Sequence, residues 1–418
     1  MSGRAVITGI GVLAPTGASA AGHFSAVAAG TGALGRISSF DPSGYPATLA
    51  GEVTEFDPEQ VPGRLRVQTD RWTWMGFAAA EQALADAALD LSELDPYSAS
   101  VVLASSSGGN VFGQRELQRL WSHPERTVGA YQSIAWFYAA TVGQLSIRHQ
   151  AKGPSNVLVS ESAGGLDSLA HAARLVRRGV PVVLAGGLEA PLSPYALSCQ
   201  LRSGRLSTRD DPDRAYLPFD TDAAGYVPGE GGAVLVVEDL DHARARGAPL
   251  IYGEVRGWAA THDGTPSGPG RGGSPEQYAR SMRLALDRAG RPPEAVDAVV
   301  PDALGVPECD RAEAAAIRSV FGSRDVPVTS QKSLTGRLYQ GGAALDAATA
   351  LLAMRERTLP ACAGVREPAE GCDLNFVPAT TRAELDTVLL GARGFDGYNS
   401  ALVLCGHDGA TTENGGGR

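Results

Sequence analysis

Ser162 is the residue of this chain whose neighbours best place it to do chemistry. The run Val157-Leu158-Val159-Ser160-Glu161-Ser162-Ala163-Gly164-Gly165-Leu166-Asp167 passes from a short β-rich segment through small residues into an amphipathic helical pattern. Leu166, Leu169, Ala170, Ala173 and Val176 fall on one face of that helix. Strand, sharp turn and helix in this order lift one side chain to a helix N-terminus, where the dipole favours a developing anion. Such a position suits nucleophilic attack on an acyl group. A serine hydroxyl is far less acidic than a thiol (pKa about 8.5) and needs an adjacent base. Gly164 fits the second glycine of the G-x-S-x-G hydrolase pattern, but Ser160 stands where the first belongs.

The elements that would position this turn alternate along the chain, which predicts an α/β fold. Residues 6–12, 101–104, 155–160, 181–186 and 232–238 read as strands. Thr69 or Asp70 can cap a helix running to about 89. A second round begins near 250: a helix from Ser274-Pro275 to about 290, strand 296–300, helix 310–321, strand 326–330 and helix 341–357. Two strands flank the turn Gly394-Phe395-Asp396-Gly397-Tyr398-Asn399. The order long helix, strand, helix, strand, turn occurs twice, a weak internal duplication. The expected halves are 1–249 and 250–406, with a Gly-rich crossover within 253–273 and a disordered polar tail at 407–418.

The composition narrows the function. With 418 residues, 43% hydrophobic and 20% charged, the chain can bury a sizeable core. A net charge of -10 argues against nucleic acid. No apolar run approaches the ~20 residues that span a bilayer, and no signal peptide is expected. The five scattered cysteines form no C-x-x-C and read as reduced cytoplasmic thiols; no Cys/His cluster suggests a metal. Gly9-Ile10-Gly11 and Gly30-Thr31-Gly32 lack the strand-turn-helix context of a dinucleotide site.

The stretch around Ser162 resembles the nucleophile elbow of the β-ketoacyl synthases, where Cys precedes small residues and Gly-Leu-Asp. Anchoring on Gly165-Leu166-Asp167 puts Ser162 at the cysteine. Val299-Val300-Pro301-Asp302-Ala303-Leu304-Gly305 lies where that family has its first catalytic histidine, so Asp302 takes its place. In Val328-Thr329-Ser330-Gln331-Lys332-Ser333-Leu334-Thr335-Gly336-Arg337 the family lysine is kept as Lys332 and Arg337 replaces the second histidine. Pro218-Phe219-Asp220, Gly229-Glu230-Gly231-Gly232 and the turn holding Phe395 are further landmarks. Loss of nucleophile and both histidines within an intact framework is similar to one subgroup, the chain length factor or ketosynthase-beta of type II aromatic polyketide synthases. Tyr45-Pro46-Ala47-Thr48-Leu49-Ala50-Gly51 and Ala135-Trp136-Phe137-Tyr138-Ala139 also match it. One residue departs: the subgroup usually has Gln where Ser162 stands.

The resemblance implies a thiolase-like, five-layered αβαβα fold built from two pseudo-duplicated halves. It implies a catalytically inactive, cytoplasmic subunit paired with an active ketosynthase-alpha. Malonyl units would arrive on the phosphopantetheine of an acyl carrier protein that docks mainly on the partner, with no bound cofactor. Ser162, Asp302, Lys332 and Arg337 would be vestigial, the last three an ion-pair network in the old cavity. The segment 105–150 would form much of the subunit interface and line the tunnel for the growing polyketide. Asn110, Gly113 and Leu117 match the positions facing the tunnel end. None is aromatic, which implies a product at the long end of the family range. Two rivals stand beside this reading: a Ser162-dependent acyltransferase or malonyl decarboxylase, and a structural chaperone of the ketosynthase.

Overall fold

A computed structural model describes residues 2–265, 272–322 and 326–407. Eleven strands form one hydrogen-bonded sheet in two similar parts. The first part holds β1 (Ala5–Leu13), β2 (Ala99–Ala104), β3 (Asn156–Leu158), β4 (Val182–Glu189) and β5 (Gly231–Asp239). The second holds β6 (Gly253–His262), β7 (Ala298–Val300), β8 (Pro327–Val328), β9 (Asn375–Phe376), β10 (Thr387–Gly394) and β11 (Tyr398–Cys405).

The order in the first part is β3-β2-β4-β5-β1, parallel across β3, β2 and β4 and antiparallel after them. The second part runs β8-β7-β10-β11-β6 with the same senses, and β9 adds one parallel strand outside β8. Within the sheet the two parts meet where Val6 and Ile7 of β1 pair with Glu254 and Gly253 of β6. The duplication read from the chain order is thus present in the strand topology.

Helices complete the layers. α1 (Arg71–Asp86) covers the outer face of the first part. α3 (Gly164–Arg177) and α6 (Gln340–Glu356) fill the space between the two parts, while α4 (Pro275–Ala289) and α5 (Pro307–Phe321) cover the far side. α2 (Asn110–Ser122) lies beside this stack. This is the five-layered αβαβα arrangement of the thiolase-like fold. α6 has no polar stripe because sheet lies on both sides of it: every residue from Gln340 to Met354 is buried.

Gly9 and Gly11 show why one nucleotide-like motif is present. A Cβ on either would stand 2.1 Å from Ala83 O or 1.9 Å from Ala79 O. The glycines let α1 lie directly on β1.

Element ends moved in several places. α1 stops at Asp86, before the turn in which Ala88 takes φ 47. The strand expected over 155–160 is only Asn156–Leu158, because the chain bends there into the Ser162 turn. The strand expected over 326–330 is only Pro327–Val328. The start of the expected Gly-rich crossover is β6 itself; its residues 266–271 lie outside the described residues, as does the tail from 408.

A buried histidine ties α6 to the first part. His23 is fully buried between Thr16 Oγ1 at 2.6 Å and Thr349 Oγ1 at 2.9 Å. Burial lowers its pKa to about 4. The unfolded chain, with His near 6.5, therefore binds more protons than the folded one between these values. The contribution is complete above about pH 6.5 and is lost as pH falls through about 4. It amounts to roughly 3 kcal/mol at most. Urea midpoints measured from pH 7 to 4 should fall less steeply in His23→Gln than in the parent.

Candidate active site

Ser162 lies at the start of α3, 3% exposed, in the turn that follows β3. Its Oγ donates to Glu161 Oε1 at 3.0 Å. The other oxygen of Glu161 accepts the Phe395 N–H at 2.8 Å. The backbone strain of the turn falls on Glu161, with φ 49, a conformation that costs a residue with a Cβ about 1–2 kcal/mol. Asp167 holds the turn from below. It accepts from Ser160 Oγ at 2.6 Å and from Ser400 Oγ of β11 at 2.8 Å, so one carboxylate joins the elbow to the other half of the fold. Its burial raises its pKa.

Asp302 and Arg337 face each other across the same space. Arg337 Nη1 is 3.1 Å from Asp302 Oδ2 and Nη2 is 3.3 Å from Oδ1, a two-pronged pair with both side chains almost fully buried. Arg337 Nη2 also donates to the Arg393 carbonyl at 3.1 Å and lies 3.9 Å from Glu161 Oε2. The chain of contacts Ser162, Glu161, Arg337, Asp302 is continuous. Despite burial, Asp302 and Glu161 hold the Arg337 guanidinium above its ordinary pKa, so it cannot accept a proton.

Glu313 of α5 fixes the loop that carries Asp302. It accepts the backbone N–H of Asp302 and of Ala303, each at 2.8 Å, and the Tyr278 hydroxyl at 3.0 Å. Tyr216 donates to the Ala303 carbonyl at 2.9 Å. These bonds maintain Ala303 at φ 52. Burial, with Asp302 nearby, raises Glu313 above the usual carboxylate range. Neighbouring Asp310 is pushed up to about 8, chiefly by burial.

Lys332 stands apart from Asp302. Its Nζ pairs with Asp346 of α6 and donates to the Pro301 carbonyl at 3.3 Å. Of the three residues grouped as one ion-pair network, Asp302 and Arg337 bond directly, and Lys332 takes a different carboxylate. The sequence reading missed Asp346 because it sits one residue after Leu345 in an otherwise apolar helix.

A cavity of about 480 Å³ opens beside these groups, lined in part by Glu161, Arg205, Asp302, Arg337, Tyr339 and Phe395. Phe395 lies under the Arg205 guanidinium, 4.9 Å from its ring centre. No described residue lining the cavity is a histidine. The Tyr226 and Tyr339 hydroxyls bond to each other at 2.9 Å, and burial raises both phenols. The remaining candidate base for Ser162 is Glu161.

Asn110, Gly113 and Leu117 all fall on α2, and none of them lines that cavity. Asn110 and Gly113 are buried; Leu117 is 44% exposed. Asp70 starts two helices at once: Oδ1 accepts Arg71 N–H of α1 at 2.6 Å and Oδ2 accepts Phe112 N–H of α2 at 2.9 Å. Ten of the fifteen large exposed hydrophobic residues described lie between Val111 and Val159, among them Trp121, Trp136 and Ile147.

Comparison with known proteins places this framework. The family description "Beta-ketoacyl synthase, N-terminal domain" matches residues 3–243, and "Beta-ketoacyl synthase, C-terminal domain" matches 252–366. The chain is 51% identical over 405 residues to the tetracenomycin polyketide synthase ketoacyl synthase beta subunit of Streptomyces glaucescens, covering 96% of this chain and 98% of that one. The chain belongs to the β-ketoacyl synthase family, in its ketosynthase-beta or chain length factor branch. This ketosynthase-beta chain is also 50% identical to the actinorhodin polyketide putative beta-ketoacyl synthase 2 of Streptomyces coelicolor, with 96% and 98% covered. Among solved structures it resembles the ishigamide ketosynthase/chain length factor, with TM-score 0.88, 28% identity and 97% and 99% covered. It also resembles a chain in the structure of a type II polyketide synthase acyl carrier protein in complex with its ketosynthase bound to the hexaketide, with TM-score 0.87, 25% identity and the same coverage. Among the described residues, no helix of this ketosynthase-beta chain is long and apolar enough to cross a membrane.

Glu313 is the functional neighbour that a closer reading of the sequence would have found. Asp310 and Glu313 stand three apart on the buried stripe that carries Cys309, Ala314, Ala316 and Ile317. Acidic residues on an apolar stripe mark a buried polar network.

Proposed function

We propose that this chain is the non-condensing subunit of a type II polyketide synthase, paired with an active ketosynthase-alpha. The partner supplies the nucleophile and both histidines. Malonyl units reach it on the phosphopantetheine of an acyl carrier protein docked mainly on the partner, in the cytoplasm. This chain supplies half of the tunnel, and α2, through Asn110, Gly113 and Leu117, sets where growth of the poly-β-keto chain stops, at the long end of the family range. The observation that carries the reading is the Asp302–Arg337 pair. Two oppositely charged side chains neutralise each other where two proton-transferring groups would have to stand. The exposed hydrophobic residues concentrated between Val111 and Val159 support a large, permanent partner.

One observation favours a rival. The Ser162–Glu161 hydrogen bond has the geometry of a nucleophile beside a base, which a self-sufficient acyltransferase or malonyl decarboxylase would need. Against it, Glu161 already accepts the Phe395 N–H and faces Arg337. Turnover of the reconstituted pair carrying Ser162→Ala separates the two readings. A pure chaperone of the ketosynthase is separated from both by product length, which it would not influence.

A further inference from the structure

The open gate read from the sequence is filled from another segment. A Cβ built on Gly113 would stand 2.6 Å from Trp136 Cδ1 and 3.3 Å from its Nε1. The indole therefore occupies the space that a side chain at 113 would take, and any larger residue there must displace it. Trp136 is 54% exposed, so its outer side is free to meet what lies beyond α2. Leu117, one turn further along the helix, is also exposed.

The backbone that carries Trp136 is fixed to α2 at both ends. Gly109 N–H donates to the Trp136 carbonyl at 3.2 Å. A Cβ on Gly108 would be 2.3 Å from that carbonyl, and one on Gly109 would be 2.0 Å from the Ala135 carbonyl. At the other end of the segment Glu116 accepts the Gly129 N–H. The anchored main chain fixes where the Trp136 side chain leaves the backbone, over Gly113.

We infer that Trp136 is a length-determining residue, acting as the bulky group of the gate through the space vacated by Gly113. The inference rests on the reading of α2 as the tunnel end. Bulk at position 113 and the indole of 136 then exclude one another, and product length follows which of them is present. The product is shorter than Gly113 alone implies.

The test uses the pair reconstituted with an active ketosynthase-alpha and carrier protein, with product carbon count read by mass spectrometry. Trp136→Ala should lengthen the principal product by at least one two-carbon unit. Gly113→Ala, which pushes on the indole, should shift the length in the parent background and do nothing in Trp136→Ala. Such non-additivity marks two groups competing for one space. Leu117→Phe is the control for the gate itself. If it shortens the product while assembled Trp136→Ala leaves the count unchanged, the gate is on α2 and this inference is overturned. If neither changes the count, the reading of α2 as the gate fails too. Should Trp136→Ala fail to assemble, Trp136→Phe keeps an apolar ring at that surface. An assembled Trp136→Phe pair with a longer product supports the inference; an unchanged product overturns it.

Discussion

Arg337→Met should destabilise the chain by about 3–5 kcal/mol, the range for removing one partner of a buried ion pair. Arg337 and Asp302 are 4% and 3% exposed, so Asp302 would be left buried with its charge uncompensated. The variant also loses the bond to the Arg393 carbonyl and the cation facing Glu161. Much of this cost belongs to the stranded charge. The double variant Arg337→Met, Asp302→Leu should therefore recover most of the lost stability, because apolar replacement of a whole buried pair is often neutral or better. Urea unfolding of both variants checks this. A single variant costing under about 1 kcal/mol would show that water already reaches the pair. A double variant no better than the single would locate the loss in packing.

Assembly should depend as strongly on the exposed apolar face. β3 bonds along one edge to Val102–Ala104 of β2 and leaves its other edge open. Val157 and Leu158 are half-buried there and Val159 is 51% exposed. An uncovered apolar edge strand is a template for pairing with another chain. Expressed alone, the chain should self-associate; co-expressed with ketosynthase-alpha, it should migrate as a one-to-one complex. Partner excess near 1,000 times Kd would then add about 4 kcal/mol of apparent stability by mass action. Val159→Lys, at a side chain exposed in the free subunit, should leave its own stability within about 0.5 kcal/mol and abolish the complex. Sedimentation velocity distinguishes these cases. A monodisperse monomer at micromolar concentration, unchanged by the partner, would contradict the heterodimer.

Much of this was legible because the framework depends on residues whose physics is local. Ser274-Pro275 starts α4 where a serine cap and a first-turn proline say it must, and Gly290 ends it in the left-handed conformation. The positions of Ser162, Asp302 and Arg337 followed from motif order alone. The pairing of Asp302 with Arg337 was expected from the resemblance, although residues 35 apart meet only through the fold. Lys332 shows the limit most clearly. The resemblance grouped it with Asp302, and the pairing went to Asp346 of α6, 14 residues further along the chain. The gate shows another limit. Gly113 read as empty space, and its occupant Trp136 comes from a segment whose path over α2 depends on the Gly108-Gly109 turn. Strand ends were read too long at β3 and β8 because ladder length is set by neighbouring strands and not by the apolar run.

The central claim is that this chain supplies shape and charge to a condensing pair and no bond-making group. Ser162 is the residue through which that claim is most exposed, since it stands at the nucleophile position and bonds to a carboxylate. The decisive measurement is the rate of malonyl condensation by the pair reconstituted with Ser162→Ala. The vestigial reading predicts at least about a tenth of the parent turnover, a change of under about 1.4 kcal/mol in the barrier. A loss of about a thousandfold, with the complex intact, would contradict it and make Ser162 a nucleophile.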